Sequence, residues 1–357
     1  TSRLFLTAKL SSPDVDFSEE NYENYKLQKN DLLFARTGAS VGKTYLYRES
    51  DGEVYYAGFL IRARLHDSYD GNFVFQQTLT DKYKQFIDIT SQRSGQPGVN
   101  GKEYGDWKIG IASYSEQSAI GTLFRTLDDL LSSYKDNLTN YQSLKATMLS
   151  KMFPKAGQTV PEIRLDGFEG EWELCEINDL ADDFQSGGTP KTNVQEYWDG
   201  DIPWIQSSDL GINCLFEIKV QKSISEKGLE SSSAKIIPKD SIAVVTRVGV
   251  GKLAVMRHEY ATSQDFLSLS NLKSNIEFTA YLLYRLLQKE VNQLQGTSIK
   301  GITKVELLSK KVLIPSLPEQ QAIGAYFSTL DNLINSHHEK ISQLETLKKK
   351  LLQDMFI

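Results

Sequence analysis

Residues Gly38-Ala-Ser-Val-Gly42-Lys43-Thr44 invite a phosphate-loop reading, in which backbone N–H groups cradle a phosphate and the lysine neutralises it. That chemistry needs a glycine five residues before the Gly-Lys pair, and position 37 is threonine. A matching turn, Thr246-Arg-Val-Gly-Val-Gly251-Lys252, has Leu253 where a Mg²⁺-binding hydroxyl would stand. Nucleotide hydrolysis is therefore not expected. Asp209 with Glu217-Ile-Lys219 follows the acidic-acidic-lysine order of metal-dependent nucleases, a spacing that also arises by chance. The chain has no Pro-Pro pair, so the Asn/Asp-Pro-Pro-aromatic motif of adenine methyltransferases is absent. Cys175 and Cys214 fit no metal spacing. His337 and His338 lack further ligands at helical spacing, so His337 reads as a packing residue and His338 as solvated. No catalytic constellation emerges.

Donor-rich polar and basic loops do emerge, and these are the side chains that hold phosphates and read base edges. In the N-terminal part they are Arg36, Thr37, Ser40, Lys43, Arg93 and Gln96. In the C-terminal part they are Thr189, Lys191, Ser207, Thr246, Arg247, Lys252, Gln264 and Lys300. The competing reading of each is a plain solvated loop residue. Net charge is -6, so nucleic-acid binding would rest on local patches or on a partner's charge. With 40% hydrophobic and 24% charged residues the chain has real cores, and no apolar run reaches the ~18–20 residues that span a membrane.

The elements that position these loops occur twice. Residues 114–153 align without a gap on residues 317–356, 203 positions later, with 16 of 40 identical. In the first copy the apolar positions Ile120, Phe124, Leu127, Leu131, Tyr134, Leu138 and Tyr141 are spaced alternately 4 and 3, with Lys145 a polar interruption. The second copy repeats them, with His337 and Lys348 at the corresponding places. A 3.5-residue period over several heptads predicts a coiled-coil seam. Two matched helices in one chain most simply pair with each other, as a rod of about 50 Å at about 1.5 Å per residue. The exposed helix positions Asp128, Lys135, Glu345 and Lys349 are candidates for docking other subunits, or are simply solvated.

The blocks before the helices also correspond. Asp31–Lys43 and Asp240–Lys252 each read as a strand entering a Gly-rich turn, aligned so that Thr37 matches Thr246. A helix is expected over 73–83 and over 279–289, then a polar Gly loop, then a last strand over 107–111 or 311–315. The fold class is α+β: two globular heads joined by two long helices that pair as a coiled coil. The boundaries are a first head at 1–113, a helix at 114–153, a linker at 154–160, a second head at 161–316 and a helix at 317–357. About 30 residues precede Asp31, against about 80 between 161 and 240, so the first head reads as incomplete at its N-terminal side.

Pro161-Glu-Ile-Arg-Leu, Gly167-Phe-x-Gly-Glu-Trp172, Gly187-Gly-Thr-Pro190, Tyr197-Trp-x-Gly-Asp-Ile-Pro-Trp204 and the twice-used Glu-Gln-x-Ala-Ile-Gly from Glu116 and Glu319 occur in order. With the duplicated layout, this series resembles the DNA-specificity subunits of type I restriction-modification systems. The resemblance implies two target-recognition domains, each reading half of a split target in double-stranded DNA, with the two helices as an antiparallel coiled coil that acts as a ruler for the gap. It implies a non-catalytic, cytoplasmic chain without membrane contact and without a cofactor of its own. Its partners would be two modification subunits that use S-adenosylmethionine to methylate a flipped-out adenine, and restriction subunits that cleave with ATP and Mg²⁺. The alternatives are a nuclease using Asp209, Glu217 and Lys219, and a coiled-coil scaffold with no DNA role.

Overall fold

The computed structural model describes residues 22–216, 218–293 and 301–356. The chain divides into two compact units, Thr1–Leu138 with Ser336–Ile357, and Thr139–Asn335.

In the first unit, β1 (Asp31–Ala35) pairs antiparallel with β2 (Thr44–Leu46) on one side and β3 (Leu60–Arg64) on the other. Alternation along β1 sends Leu32 and Phe34 to one core, with Leu46, Phe73 and Ile87, and Leu33 to the opposite face beside Tyr45. Helices α1 (Gly71–Gln77), α2 (Asp81–Thr90) and α3 (Gly101–Gly105) follow. The single helix expected over 73–83 is two, because the Thr80 hydroxyl accepts from Tyr83 N and starts α2 as its N-cap. Residues 107–113 pair as a strand with none of the described residues, so the strand expected over 107–111 is not seen among them. Helix α4 (Tyr114–Lys151) then runs into the second unit.

The second unit begins its head with β4 (Glu173–Glu176), β5 (Ala181–Ser186), β6 (Trp198–Ile205), β7 (Lys222–Ile224) and the short helix α5 (Glu226–Glu230). Strands β8 (Ser241–Val245), β9 (Leu253–Met256), β10 (Ala261–Thr262) and β11 (Phe266–Leu272) follow, then α6 (Ile276–Gln293), α7 (Lys304–Leu308), β12 (Lys311–Ile314) and α8 (Leu317–Met355). The main sheet is antiparallel, in order β5-β11-β8-β9. All five residues of β8 are buried because both faces are covered: Ile242 and Val244 face the core under α6, and Ala243 and Val245 face a second cluster around Ile205 and Tyr260. β12 pairs with β4.

The two long helices lie antiparallel within each unit. In the first unit Lys348 Nζ reaches Asp128 Oδ1 at 2.5 Å, and the ring of Tyr134 meets that of His337 edge-on at 5.4 Å. In the second unit Lys145 pairs with Asp331. The polar interruptions of the apolar pattern thus face carboxylates on the opposite helix. Asp128, expected on an outward face, instead points at Lys348 and also accepts from Gln76 at 2.9 Å. Lys135 and Glu345 are exposed and pair with each other at 2.6 Å, and Lys349 is exposed.

Each long helix is locked to its own head by the repeated Glu-Gln-x-Ala-Ile-Gly motif. Gln320 Oε1 accepts from Asn275 N, and its Nε2 donates to Pro315 O; Gln117 does the same for Asp70 N and Ala112 O. Asn275 and Asp70 in turn cap α6 and α1 through Phe278 N and Phe73 N. The motif's glycine makes room for this junction: a Cβ on Gly121 would stand 2.3 Å from Asp70 Oδ1, and one on Gly324 2.6 Å from Asn275 Oδ1.

Candidate nucleic-acid interface

The corresponding loops of the two heads are hung on the same backbone bonds. In the first head Arg36 N donates to Phe59 O, and Arg36 O accepts from Val99 N. In the second, Thr246 N donates to Asp265 O, and Thr246 O accepts from Ile302 N. The residue that matches Thr246 is therefore Arg36, not Thr37 as the sequence alignment had it. The first head's turn is one residue longer, and the frames rejoin where Ala35 N bonds Lys43 O and Val245 N bonds Lys252 O. Gly42 and Gly251 close the turns at φ 79° and 103°, a region open to glycine. Beyond each turn, Asn100 and Thr303 start α3 and α7 with capping boxes completed by Glu103 and Glu306.

In the second head the predicted residues come together. Gly188 N bonds Thr262 O, and Ser263 N bonds Ile205 O. Thr189 Oγ1 donates to Gln264 Oε1 at 2.6 Å. Lys252 Nζ donates to Ser207 O at 3.1 Å, and the buried Thr246 hydroxyl donates to Asp265 O. The loops at 187–191, 206–209, 246–252 and 262–265 form one connected surface through these bonds. Lys191, Arg247 and Gln264 are its exposed long polar side chains among the predicted set. Thr246 and Lys252 instead brace the surface from below. Lys300 lies outside the described residues.

In the first head, Arg36 and Thr37 are exposed, and Ser40 and Lys43 are half-buried in the turn. Gln96 reaches over Gly38, with Gly38 N bonded to Pro97 O. Arg93 is pinned by its own helix end, donating to Thr90 O and Gln92 O and pairing with Glu103.

Sequence reasoning missed the brace behind the second head's surface. Trp204 Nε1 donates to Gly188 O at 3.0 Å, and its ring meets Trp198 edge-on at 5.1 Å. The exposed Lys222 ammonium stands over both rings, at 5.6 Å and 5.9 Å from their centres. The Gly-Gly-Thr-Pro and Tyr-Trp-x-Gly-Asp-Ile-Pro-Trp motifs were visible as motifs, but their purpose is mutual support. A Cβ on Gly187 would fall 2.0 Å from Thr262 Oγ1, so only glycine lets that loop lie on the sheet.

Asp209, offered as a metal ligand in the nuclease reading, turns Oδ2 onto Gln206 N at 3.0 Å and caps its own turn. Glu217 lies outside the described residues. Among the described residues no group of three or more His, Cys, Asp or Glu is placed to hold a metal ion, and no helix is long and apolar enough to cross a membrane.

Comparison with known proteins places these features in context. Residues 169–346 match the type I restriction modification DNA specificity domain. The type I restriction enzyme MjaIX specificity subunit of Methanocaldococcus jannaschii is 28% identical over 194 residues, which is 52% of this chain and 44% of that protein; less than half of that relative's length is represented. The putative MjaX specificity subunit of the same organism is 20% identical over 347 residues, 94% of this chain and 80% of its own length. The crystal structure of a type I restriction-modification S subunit from M. genitalium superposes with a TM-score of 0.65 at 15% identity, covering 94% of this chain and 85% of that one. That likeness bears on the fold.

Proposed function

The chain belongs to the family of type I restriction-modification DNA specificity subunits, and from that premise we propose that it is the sequence-reading, non-catalytic part of a DNA-modifying complex. Each head reads one half of a split target. The residues offered to DNA are Lys191, Arg247 and Gln264 in the second head, with Thr189 orienting Gln264. Arg36, Thr37 and Gln96 are offered in the first. Arg247 and Lys191 suit phosphates or guanine edges, and a glutamine held by one hydrogen bond suits a single base edge.

The observation that carries this reading is the common backbone frame of the two heads. Arg36 and Thr246 make equivalent bonds in two loops whose side chains otherwise differ. A conserved frame with variable side chains is what two different half-sites would require. The long helices, pairing antiparallel as a coiled coil, set the gap between half-sites and dock two modification subunits. Those partners bind S-adenosylmethionine and methylate adenine; restriction subunits add ATP- and Mg²⁺-dependent cleavage. The acidic net charge of -6 fits a chain whose partners enclose much of the duplex.

The test is to reconstitute the chain with its modification subunits and map methyladenine along genomic DNA. A bipartite motif, lost at one half when Lys191, Arg247 and Gln264 are replaced together by alanine, is expected. Unchanged methylation in that triple variant would overturn the assignment of the surface.

A further inference from the structure

Phe59 stands at a fixed place on the candidate surface of the first head. The register of β1 and β3, with Ala35 opposite Leu60, continues by one pair to set Arg36 opposite Phe59. Arg36 N donates to Phe59 O at 3.2 Å, and Leu60 N closes the turn onto Ala57 O at 2.9 Å. Directly opposite residues of an antiparallel pair present their side chains to the same face. The Phe59 ring therefore shares a face with the exposed Arg36 side chain. The ring is itself 63% exposed, and Phe59 is the one exposed phenylalanine among the described residues. Gly58 beside it has open space where a Cβ would stand, so a ligand can approach the backbone closely there.

The second head carries hydrogen-bonding side chains at the same two stations. The register of β8 and β11, with Val245 opposite Phe266, continues to Thr246 opposite Asp265, and Thr246 N donates to Asp265 O at 2.7 Å. Asp265 thus corresponds to Phe59, and Gln264 to Gly58. Gln264, held by Thr189, is offered to a base edge. Phe59 has no side-chain atom that donates or accepts, so it cannot match the polar pattern of a base edge. The apolar group that base pairs present in the major groove is the C5 methyl of thymine, and phenylalanine is among the side chains that meet it.

We propose that Phe59 is a specificity-determining residue of the first head, which selects a T·A pair by contact with the thymine methyl group. This rests on the reading of the heads as DNA-recognition domains. The contact uses neither charge nor hydrogen bond, so it distinguishes thymine from uracil, which has the same O4 acceptor and lacks the methyl. Arg36 beside it supplies a polar contact to a phosphate or a neighbouring guanine. An aromatic side chain wedged between base pairs would act by unstacking them and would be indifferent to the methyl.

The experiment uses the chain assembled with its modification subunits, and duplexes of its methylated motif in which each thymine in turn is replaced by deoxyuridine. At one thymine the replacement is expected to weaken binding about fourfold, the worth of one buried methyl-sized group. Phe59→Ala should weaken binding to the thymine duplex by at least that factor, bind the thymine and uracil duplexes alike at that position, and leave the salt slope unchanged. Phe59→Leu keeps an apolar side chain and should keep the preference. The carbonyl that holds Arg36 is present in every variant, and an unchanged urea midpoint checks that the loop frame survives. If no thymine responds to the replacement, or if every response persists in Phe59→Ala, the proposal is overturned while sequence-selective binding leaves the DNA-reading proposal standing. A complex that binds all duplexes equally overturns the DNA-reading proposal and this inference with it.

Discussion

Lys145 on α4 is paired with Asp331 on α8, and both side chains are nearly buried, at 11% and 13% exposure. The pair repeats as Lys348 and Asp128, each residue shifted by 203. Asp331 also accepts from Tyr281 at 2.6 Å, and burial together with that carboxylate raises the phenol far above its usual range. Lys145→Ala would leave Asp331 buried with one partner, and breaking a buried pair from one side costs about 3 kcal/mol. Replacing both by Met and Leu removes the desolvated charges together and orphans only the Tyr281 hydroxyl, for about 1 kcal/mol. Urea unfolding should therefore show the double variant to be more stable than the single one. The reverse order would mean that the lone Asp331 carboxylate costs less than the orphaned Tyr281 hydroxyl.

The glycines in the repeated motif set two effects against each other. Alanine at Gly121 would gain about 1 kcal/mol of helix propensity. Its Cβ would stand 2.3 Å from Asp70 Oδ1 and 3.0 Å from Phe73 N, the two atoms of a helix cap. Overpacking at a site that cannot yield costs about 1–3 kcal/mol, and the cap adds about 1 more. Gly121→Ala and Gly324→Ala are thus expected to destabilise their own units by about 1–3 kcal/mol, read as a lower urea midpoint. Alanine at the unobstructed Gly105, which has nothing within 4 Å, serves as the control.

Glu162 bridges the last turn of α4 and the linker. Lys151 and then Lys155 hold its carboxyl down to about 2 from an ordinary 4.5. A folded value below the unfolded one means that this contact stabilises above pH ~4.5 and is lost as pH falls towards about 2. A carboxyl carbon titration by NMR should place Glu162 near 2. In Lys151→Ala with Lys155→Ala it should return towards 4.5.

Much of the helical frame was legible because it obeys a period and repeats itself. The alternating 4 and 3 spacing from Ile120 to Tyr141 needs no tertiary information. The Gly turns were also legible, because φ values of 79° at Gly42 and 103° at Gly251 suit glycine. What the sequence hid was pairing at a distance. Nothing local says that Asp128 looks inward, because its lysine lies 220 residues away. Residues 108–111 carry strand chemistry, yet a strand exists only with a neighbour, and none pairs with them among the described residues. The one-residue slip between Thr37 and Arg36 came from trusting a shared threonine, where the backbone bonds to Val99 and Ile302 fix the register. Within the candidate surface, Lys252 and Thr246 have the same composition signal as Arg247, and only burial tells brace from reader.

That last distinction gives the sharpest functional forecast. Arg247 is exposed at the tip of its turn, so a phosphate contact there predicts uniformly weaker binding in Arg247→Ala. The slope of log affinity against log salt would fall by about 1. Gln264 is fixed through Oε1 by Thr189, so Gln264→Ala should instead relax discrimination at one base pair, by about 1–3 kcal/mol, and leave the salt slope alone. Thr189→Val frees the glutamine without removing it and should give a smaller loss at the same base pair. Lys252→Ala removes the strut to Ser207 O and is expected to act through stability, lowering the urea midpoint as well as affinity. Binding titrations of the assembled complex at several salt concentrations, on matched and singly mismatched duplexes, separate these outcomes. A salt slope that falls with Gln264→Ala and not with Arg247→Ala would reverse the two roles.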